Sequence, residues 1–219
     1  KKTFPKNLEK VFDKHGGIDN WDKLKTLSFK TGEELHTIDL HSRKTKVASS
    51  TYAYGYDGKD IWVSDTVAFK KDPKFYYNLF FYFYAMPFVL ADNGIVYSDT
   101  SPIEFEGKKY AGIKISYKQN VGSSPDDNYF LYFDAETYQM KWLKYSVTYF
   151  SKKASNKFNL IKYDNWSLKN GFLLPDTLIW YKQDENGNPL EPARAPMQFE
   201  LKELSTNQLE DTYYQKPIS

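Results

Sequence analysis

The sequence predicts a β-rich α+β protein, an antiparallel meander covered by an aromatic helix, and three observations carry that expectation. Twelve segments are dense in aromatic and β-branched residues, turn formers such as Tyr56-Asp57-Gly58-Lys59 and Lys169-Asn170-Gly171 separate them, and eight of the ten residues from 75 to 84 are aromatic. A single β-rich domain runs to about 250 residues. With 219 residues, no Pro/Ser-rich linker and no fixed repeat, one domain over residues 1–219 is expected.

Helices are few. Residues 5–15 place Leu8, Val11 and Phe12 at helical spacing and stop at Gly16-Gly17, a C-terminal signal. Asp19 opens a short second piece carrying Trp21 and Leu24. The main helix is expected over residues 73–91, N-capped by Asp72. It has no polar stripe, so it should be buried on more than one side and act as a lid over the sheet. Its 17 uncharged residues, 75–91, approach the length of a membrane span. Four tyrosine hydroxyls (Tyr76, Tyr77, Tyr82, Tyr84), Asn78 and Pro87 argue against spanning.

Strands are expected over residues 26–31, 34–43, 45–56, 61–65, 95–97, 103–106, 112–118, 129–134, 140–150, 158–165, 173–181 and 198–204. In 141–150 the positions Leu143, Tyr145, Val147 and Tyr149 form an apolar face, with Lys144, Ser146 and Thr148 opposite. Ile113, Ile115 and Tyr117 alternate with Lys114, Ser116 and Lys118 in the same way. Such strands are expected to have one dry and one wet face, as an antiparallel sheet permits. The dry face requires a cover.

Charge and composition exclude several classes. With 30 Lys and Arg against 28 Asp and Glu, the balance does not suit a dedicated nucleic-acid binder. The absence of Cys removes disulfides, thiolate nucleophiles and Cys-ligated metals. Forty aromatic residues (19 Tyr, 16 Phe, 5 Trp) exclude disorder. The sequence starts at Lys1 rather than Met, from which an upstream signal peptide or lipoprotein leader is expected.

The histidines, glycines and acids carry no recognisable reactive motif. His36 and His41, five apart in one expected strand, point to opposite faces and do not make a metal pair, and His15 suits the last turn of a helix. All three read as structural. No nucleophile elbow, phosphate loop or dinucleotide fingerprint occurs. Residues 184–188 read as a hairpin tip rather than a calcium loop. No catalytic residue, metal site or cofactor is therefore expected, and the protein is not read as an enzyme.

Several stretches resemble a known group. His15-Gly16-Gly17-Ile18-Asp19-Asn20-Trp21, Gly55-Tyr56-Asp57-Gly58-Lys59-Asp60-Ile61-Trp62-Val63, Ala85-Met86-Pro87-Phe88-Val89-Leu90-Ala91-Asp92, Tyr132-Phe133-Asp134-Ala135-Glu136-Thr137-Tyr138 and Asn170-Gly171-Phe172-Leu173-Leu174-Pro175 span most of the chain. Together they resemble uncharacterised secreted proteins and lipoproteins of Bacteroidota within the LolA/LolB-type lipoprotein carriers. That resemblance implies a strongly curved antiparallel half-barrel of about 10–12 strands, with helices forming a lid over an apolar cavity for acyl chains. It also implies a periplasmic or outer-membrane-anchored location, with any N-terminal lipid anchor upstream of this chain.

Two readings follow. In the first, the protein binds a lipid acyl chain or a lipoprotein as a monomer, without catalysis. Phe80, Phe83, Met86 and Phe88 are then the lid-side contacts, and Trp62, Tyr132, Tyr145 and Trp180 the sheet-side contacts. In the second, the aromatics fill the core, no ligand binds, and function lies on loops such as 120–128 or 184–196.

Overall fold

A computed structural model describes residues 2–118, 127–148 and 157–218. In chain order the elements are α1 (Lys6–His15), α2 (Ile18–Trp21), β1 (Thr26–Thr31), β2 (Glu34–Asp39), β3 (Thr45–Ala48), β4 (Ala53–Tyr56), β5 (Ile61–Val63), α3 (Pro73–Tyr76) and α4 (Leu79–Tyr84). A 3₁₀ turn (Phe88–Ala91) precedes β6 (Ile95–Phe105), β7 (Lys108–Tyr117), β8 (Tyr129–Phe133), β9 (Met140–Tyr145), β10 (Asn159–Lys169), β11 (Phe172–Gln183), β12 (Pro189–Pro192), β13 (Met197–Gln198) and β14 (Glu200–Ser205). A second 3₁₀ turn, Asp211–Tyr214, follows. The backbone groups into two compact units, residues 1–18 with 87–197 and residues 19–86 with 198–219.

The first unit holds α1 and the antiparallel ladder β12-β11-β10-β9-β8-β7-β6. This sheet curls strongly. Four strands separate β6 from β11 in the ladder, yet the rings of Phe105 and Tyr181 meet edge to face at 5.7 Å. The Glu104 N–H also donates to Asn188 Oδ1 in the β11–β12 connection at 2.9 Å. A bulge between Thr100 and Ile103 bends β6. Pro102 sits there, where a missing N–H costs no ladder bond. The two strands expected at 95–97 and 103–106 are thus one bent strand.

Helix α1 starts after Pro5 and ends at Gly16, whose φ of 128° suits glycine. A Cβ on Gly16 would lie 2.7 Å from the Gly171 carbonyl oxygen. The buried imidazole of His15 lies 3.3 Å from Leu173 O through Nδ1, and its Nε2 accepts the Met140 N–H at 3.0 Å. Both ring nitrogens are therefore used to hold α1 against two strands. Burial keeps the ring neutral, lowering its pKa to about 4 despite the Leu173 hydrogen bond.

The second unit is a six-stranded antiparallel sheet, β14-β1-β2-β3-β4-β5. The segment expected as one strand over 45–56 is two, because Ser49 turns the chain: its backbone N–H donates to Tyr52 O and its hydroxyl accepts the Tyr52 N–H. Strand β2 ends at Asp39, whose carboxylate accepts the N–H groups of His41 and Ser42. His41 accordingly lies beyond the strand, not on it.

The helix expected over 73–91 is instead α3, α4 and the first 3₁₀ turn. Asp72 does cap α3, accepting the Lys74 N–H at 2.9 Å. Asn78 then leaves helical geometry (φ −123°, ψ 2°), and Ala85 (φ −87°, ψ 14°) ends α4. Pro87, lacking an N–H, precedes the 3₁₀ turn rather than continuing a helix. None of the described helices is long and apolar enough to cross a membrane.

Fourteen strands are present among the described residues, against about 10–12 expected. The end of the strand expected at 140–150 and most of the loop expected at 120–128 lie outside the described residues. Strand β12 falls within the other expected loop, 184–196. Its terminal prolines sit on an edge strand, where proline is tolerated.

Candidate functional site

Antiparallel register places Phe29, His36, Val47, Tyr54 and Val63 in one row across β1 to β5, so all five side chains share a face of the six-stranded sheet. The lid segment covers this face. Phe69 stacks on Tyr54 at 4.2 Å and packs on Tyr52 at 5.0 Å, and Tyr76 and Tyr77 join the cluster around Val47 and Tyr54. Farther along, Tyr84 packs on Phe29 at 4.5 Å, while Phe80 meets the edge of His36 at 5.8 Å.

Within this apolar layer is a polar group of four residues. Glu34, two residues from His36, shares its face. Glu34 Oε2 accepts the hydroxyls of Tyr52 (3.0 Å) and Tyr54 (3.1 Å), whereas Oε1 lies 3.5 Å from His36 Nε2. The Glu34 side chain is 16 % exposed and that of His36 is 0 %. Burial raises the Glu34 pKa, but the adjacent imidazole and the two tyrosine hydroxyls outweigh it, leaving the carboxyl below its ordinary value. Burial and the ionised Glu34 raise both tyrosine pKa values, keeping Tyr52 and Tyr54 as donors. Neither His36 ring nitrogen has a hydrogen-bond partner. The ring stacks on Phe29 at 4.9 Å, nearly parallel.

The structure brings together some of the residues expected at a site and separates others. Phe80 and Phe83 are neighbours on α4, with ring centroids 6.5 Å apart, and Met86 is buried just beyond the helix. Trp62 lies on the opposite face, in the row Ser28, Thr37, Lys46, Gly55 and Trp62. The Asp211–Tyr214 turn covers that face, and Trp62 Nε1 donates to Tyr214 O at 2.9 Å.

In the other unit, Tyr145 and Trp180 share a face, with the indole N–H donating to the phenol oxygen at 2.9 Å. Tyr132 is on the reverse face, opposite Trp142 and clustered with Ile103 and Leu160. That reverse face was expected to be wet. It buries Trp142 to 1 % exposure, and Lys144 and Lys114 lie over the rings of Tyr132 and Phe130. Long lysine stems cover apolar surface, and the Lys144 ammonium donates to Gly187 O at 3.1 Å, which is how a polar-looking face becomes dry. Phe88 packs on Phe12 and Phe172, at 6.3 and 5.6 Å, seating its 3₁₀ turn on α1 and β11.

The Tyr132-Phe133-Asp134 stretch owes its form to a turn. Asp134 accepts the N–H groups of Glu136 and Thr137 and the Lys108 ammonium, and these bonds overcome burial to hold its pKa at about 2. Among the described residues no group of three or more His, Asp or Glu side chains converges to hold a metal ion.

Sequence reasoning missed the Glu34 group. The Glu34-Leu35-His36 spacing was a usable signal, since alternate strand residues share a face. Tyr52 and Tyr54 could be added only with the register across β3 and β4, which the turn at Ser49 sets.

Mostly β, with a strongly curled antiparallel sheet and a few helices, the chain is of half-barrel class. It belongs to DUF6503, a family of unknown function, whose model matches residues 39–195. No curated protein matches the sequence. Among solved structures, it is similar to a LolA superfamily protein from Nitrosomonas europaea, with 7 % identity, coverage of 95 % of this chain and 97 % of that one, and a TM-score of 0.48. A DUF1329 family protein from Desulfovibrio piger shares 8 % identity over 95 % of each chain, with a TM-score of 0.44. An outer membrane lipoprotein-sorting protein domain from Vibrio parahaemolyticus shares 7 % identity over 92 % of this chain and 96 % of that one, with a TM-score of 0.39.

Proposed function

We propose that this protein is a non-catalytic binding protein of the cell envelope, periplasmic or anchored at the outer membrane, which holds a lipid acyl chain or a lipid-modified protein. The site is the face of the six-stranded sheet beneath α3 and α4, and the protein works as a monomer. The observation that carries this reading is the construction of the lid. It consists of helices of four and six residues, and Phe75, Tyr76, Tyr77, Leu79, Phe80 and Tyr82 remain only partly buried. Isolated helices shorter than about 12–15 residues are marginal in water, so this cover depends on its side-chain contacts. An acyl chain would exchange those ring contacts for its own, with burial stabilising it by about 25 cal/mol per Å². The sequence resemblance to lipoprotein carriers supports the same reading and the envelope location.

Native mass spectrometry of protein purified gently from its producing cells tests it. A reproducible lipid or acylated adduct is the expected result. Its consistent absence, with no uptake of added monoacylglycerol or fatty acid, would sink the proposal and leave a protein whose aromatic core is complete without a ligand.

A further inference from the structure

The two wholly buried histidines are in contrasting states. His15 uses both ring nitrogens on backbone groups. His36 is as deeply buried, yet neither of its ring nitrogens makes a hydrogen bond, an unfavourable state for a buried polar group. Its Nε2 and the Glu34 Oε1 atom face each other at 3.5 Å, and the other carboxylate oxygen is already held by Tyr52 and Tyr54. A donor nitrogen beside an acceptor oxygen is matched by a hydroxyl, which accepts from the imidazole N–H and donates to the carboxylate.

We propose that Glu34 and His36 recognise the free hydroxyl of a neutral, hydroxyl-headed acyl lipid such as a monoacylglycerol. This rests on the acyl-chain site proposed above and specifies the head group it takes. Glu34 is partly exposed at the rim, while His36, Phe29 and Val47 are fully buried. The head therefore binds beside Glu34 near water, and the chain runs inward along Phe29, Val47 and Tyr54 under Phe80. The ionised Glu34 carboxylate repels a fatty acid placed head-first in the same position, because two carboxylates in one site cannot both remain charged without cost. Tyr52 and Tyr54 are positioning residues, fixing Glu34 so that Oε1 points toward the imidazole.

The test is titration calorimetry of the full chain at neutral pH with 1-monolauroylglycerol and with lauric acid, each below its aggregation concentration. Wild type is expected to bind the monoacylglycerol at least about tenfold more tightly, the worth of one good hydrogen bond. His36→Phe, which keeps the stack on Phe29, should lose most of that preference. Glu34→Gln should narrow it further by strengthening laurate binding, and its rim position carries the test should His36→Phe not fold. Equal or tighter laurate binding by wild type, or a preference unchanged in the folded variants, would overturn the head-group assignment and leave the acyl site standing. Binding of neither probe would remove both.

Discussion

Trp180 and Tyr145, on strands separated by β10, are joined by a hydrogen bond of 2.9 Å from the indole N–H to the phenol oxygen. Both side chains are buried, and burial raises the Tyr145 pKa against the pull of the indole and Arg194. Replacing Tyr145 by Phe removes the acceptor without changing the ring. The indole N–H then loses this acceptor, and a loss of about 1–2 kcal/mol is expected in urea denaturation, with the slope unchanged. A loss below about 0.3 kcal/mol would mean that water replaces the phenol.

What was legible in the sequence depended on how local the determining physics is. Helix α1 runs from Lys6 because Pro5 and Gly16 are local signals that act without tertiary help. The lid was harder. Eight rings in ten residues suggest one apolar helix, but the breaks at Asn78 and Ala85 accompany packing of rings onto Tyr54 and His36, which is tertiary. The strand at 140–145 misled for a related reason. Its lysines mark solvent in a flat sheet, whereas a sheet curled until Phe105 reaches Tyr181 buries both faces. Tyr132 and Tyr145 were thus recognisable as buried, but their opposite faces required the pairing across β8 and β9.

His15 links stability to acidity. Its pKa is about 4 when folded against an ordinary value of 6.5, so the unfolded chain takes up the proton more readily. The contribution is complete above pH 6.5, declines as the pH falls, and is lost below about 4, at a total cost of roughly 3 kcal/mol. His15→Phe should abolish this part of the acid dependence. It should also destabilise the protein at neutral pH, because the Met140 N–H loses its acceptor. Denaturant midpoints of both proteins between pH 4 and pH 7 check this, and parallel curves would contradict it.

Gly55 is required for close approach. A Cβ there would lie 2.1 Å from the Thr45 carbonyl oxygen and 3.1 Å from Trp62 Cζ2. The carbonyl belongs to the backbone of the neighbouring strand and cannot rotate away. Gly55→Ala is therefore expected to cost about 3 kcal/mol, measured as a lower urea midpoint. Trp62 fluorescence should shift as its contact with the Asp211–Tyr214 turn loosens. An alanine variant as stable as wild type would show that β3 and β4 separate without penalty.

The lid should open without the sheet. Its helical bonds, such as Tyr77 N–H to Pro73 O and Tyr82 N–H to Asn78 O, belong to helices too short to persist alone. The strands beneath are tied by continuous ladders from β14 to β5. Hydrogen exchange should therefore find the amides of residues 76–84 exchanging at least about tenfold faster than those of β1 and β2, through local rather than global opening. Saturating 1-monolauroylglycerol should slow the lid amides while leaving the central strands at their global limit. If lid and sheet amides exchange together, by whole-unit unfolding, the rings of α3 and α4 form a permanent core and no ligand passes beneath them.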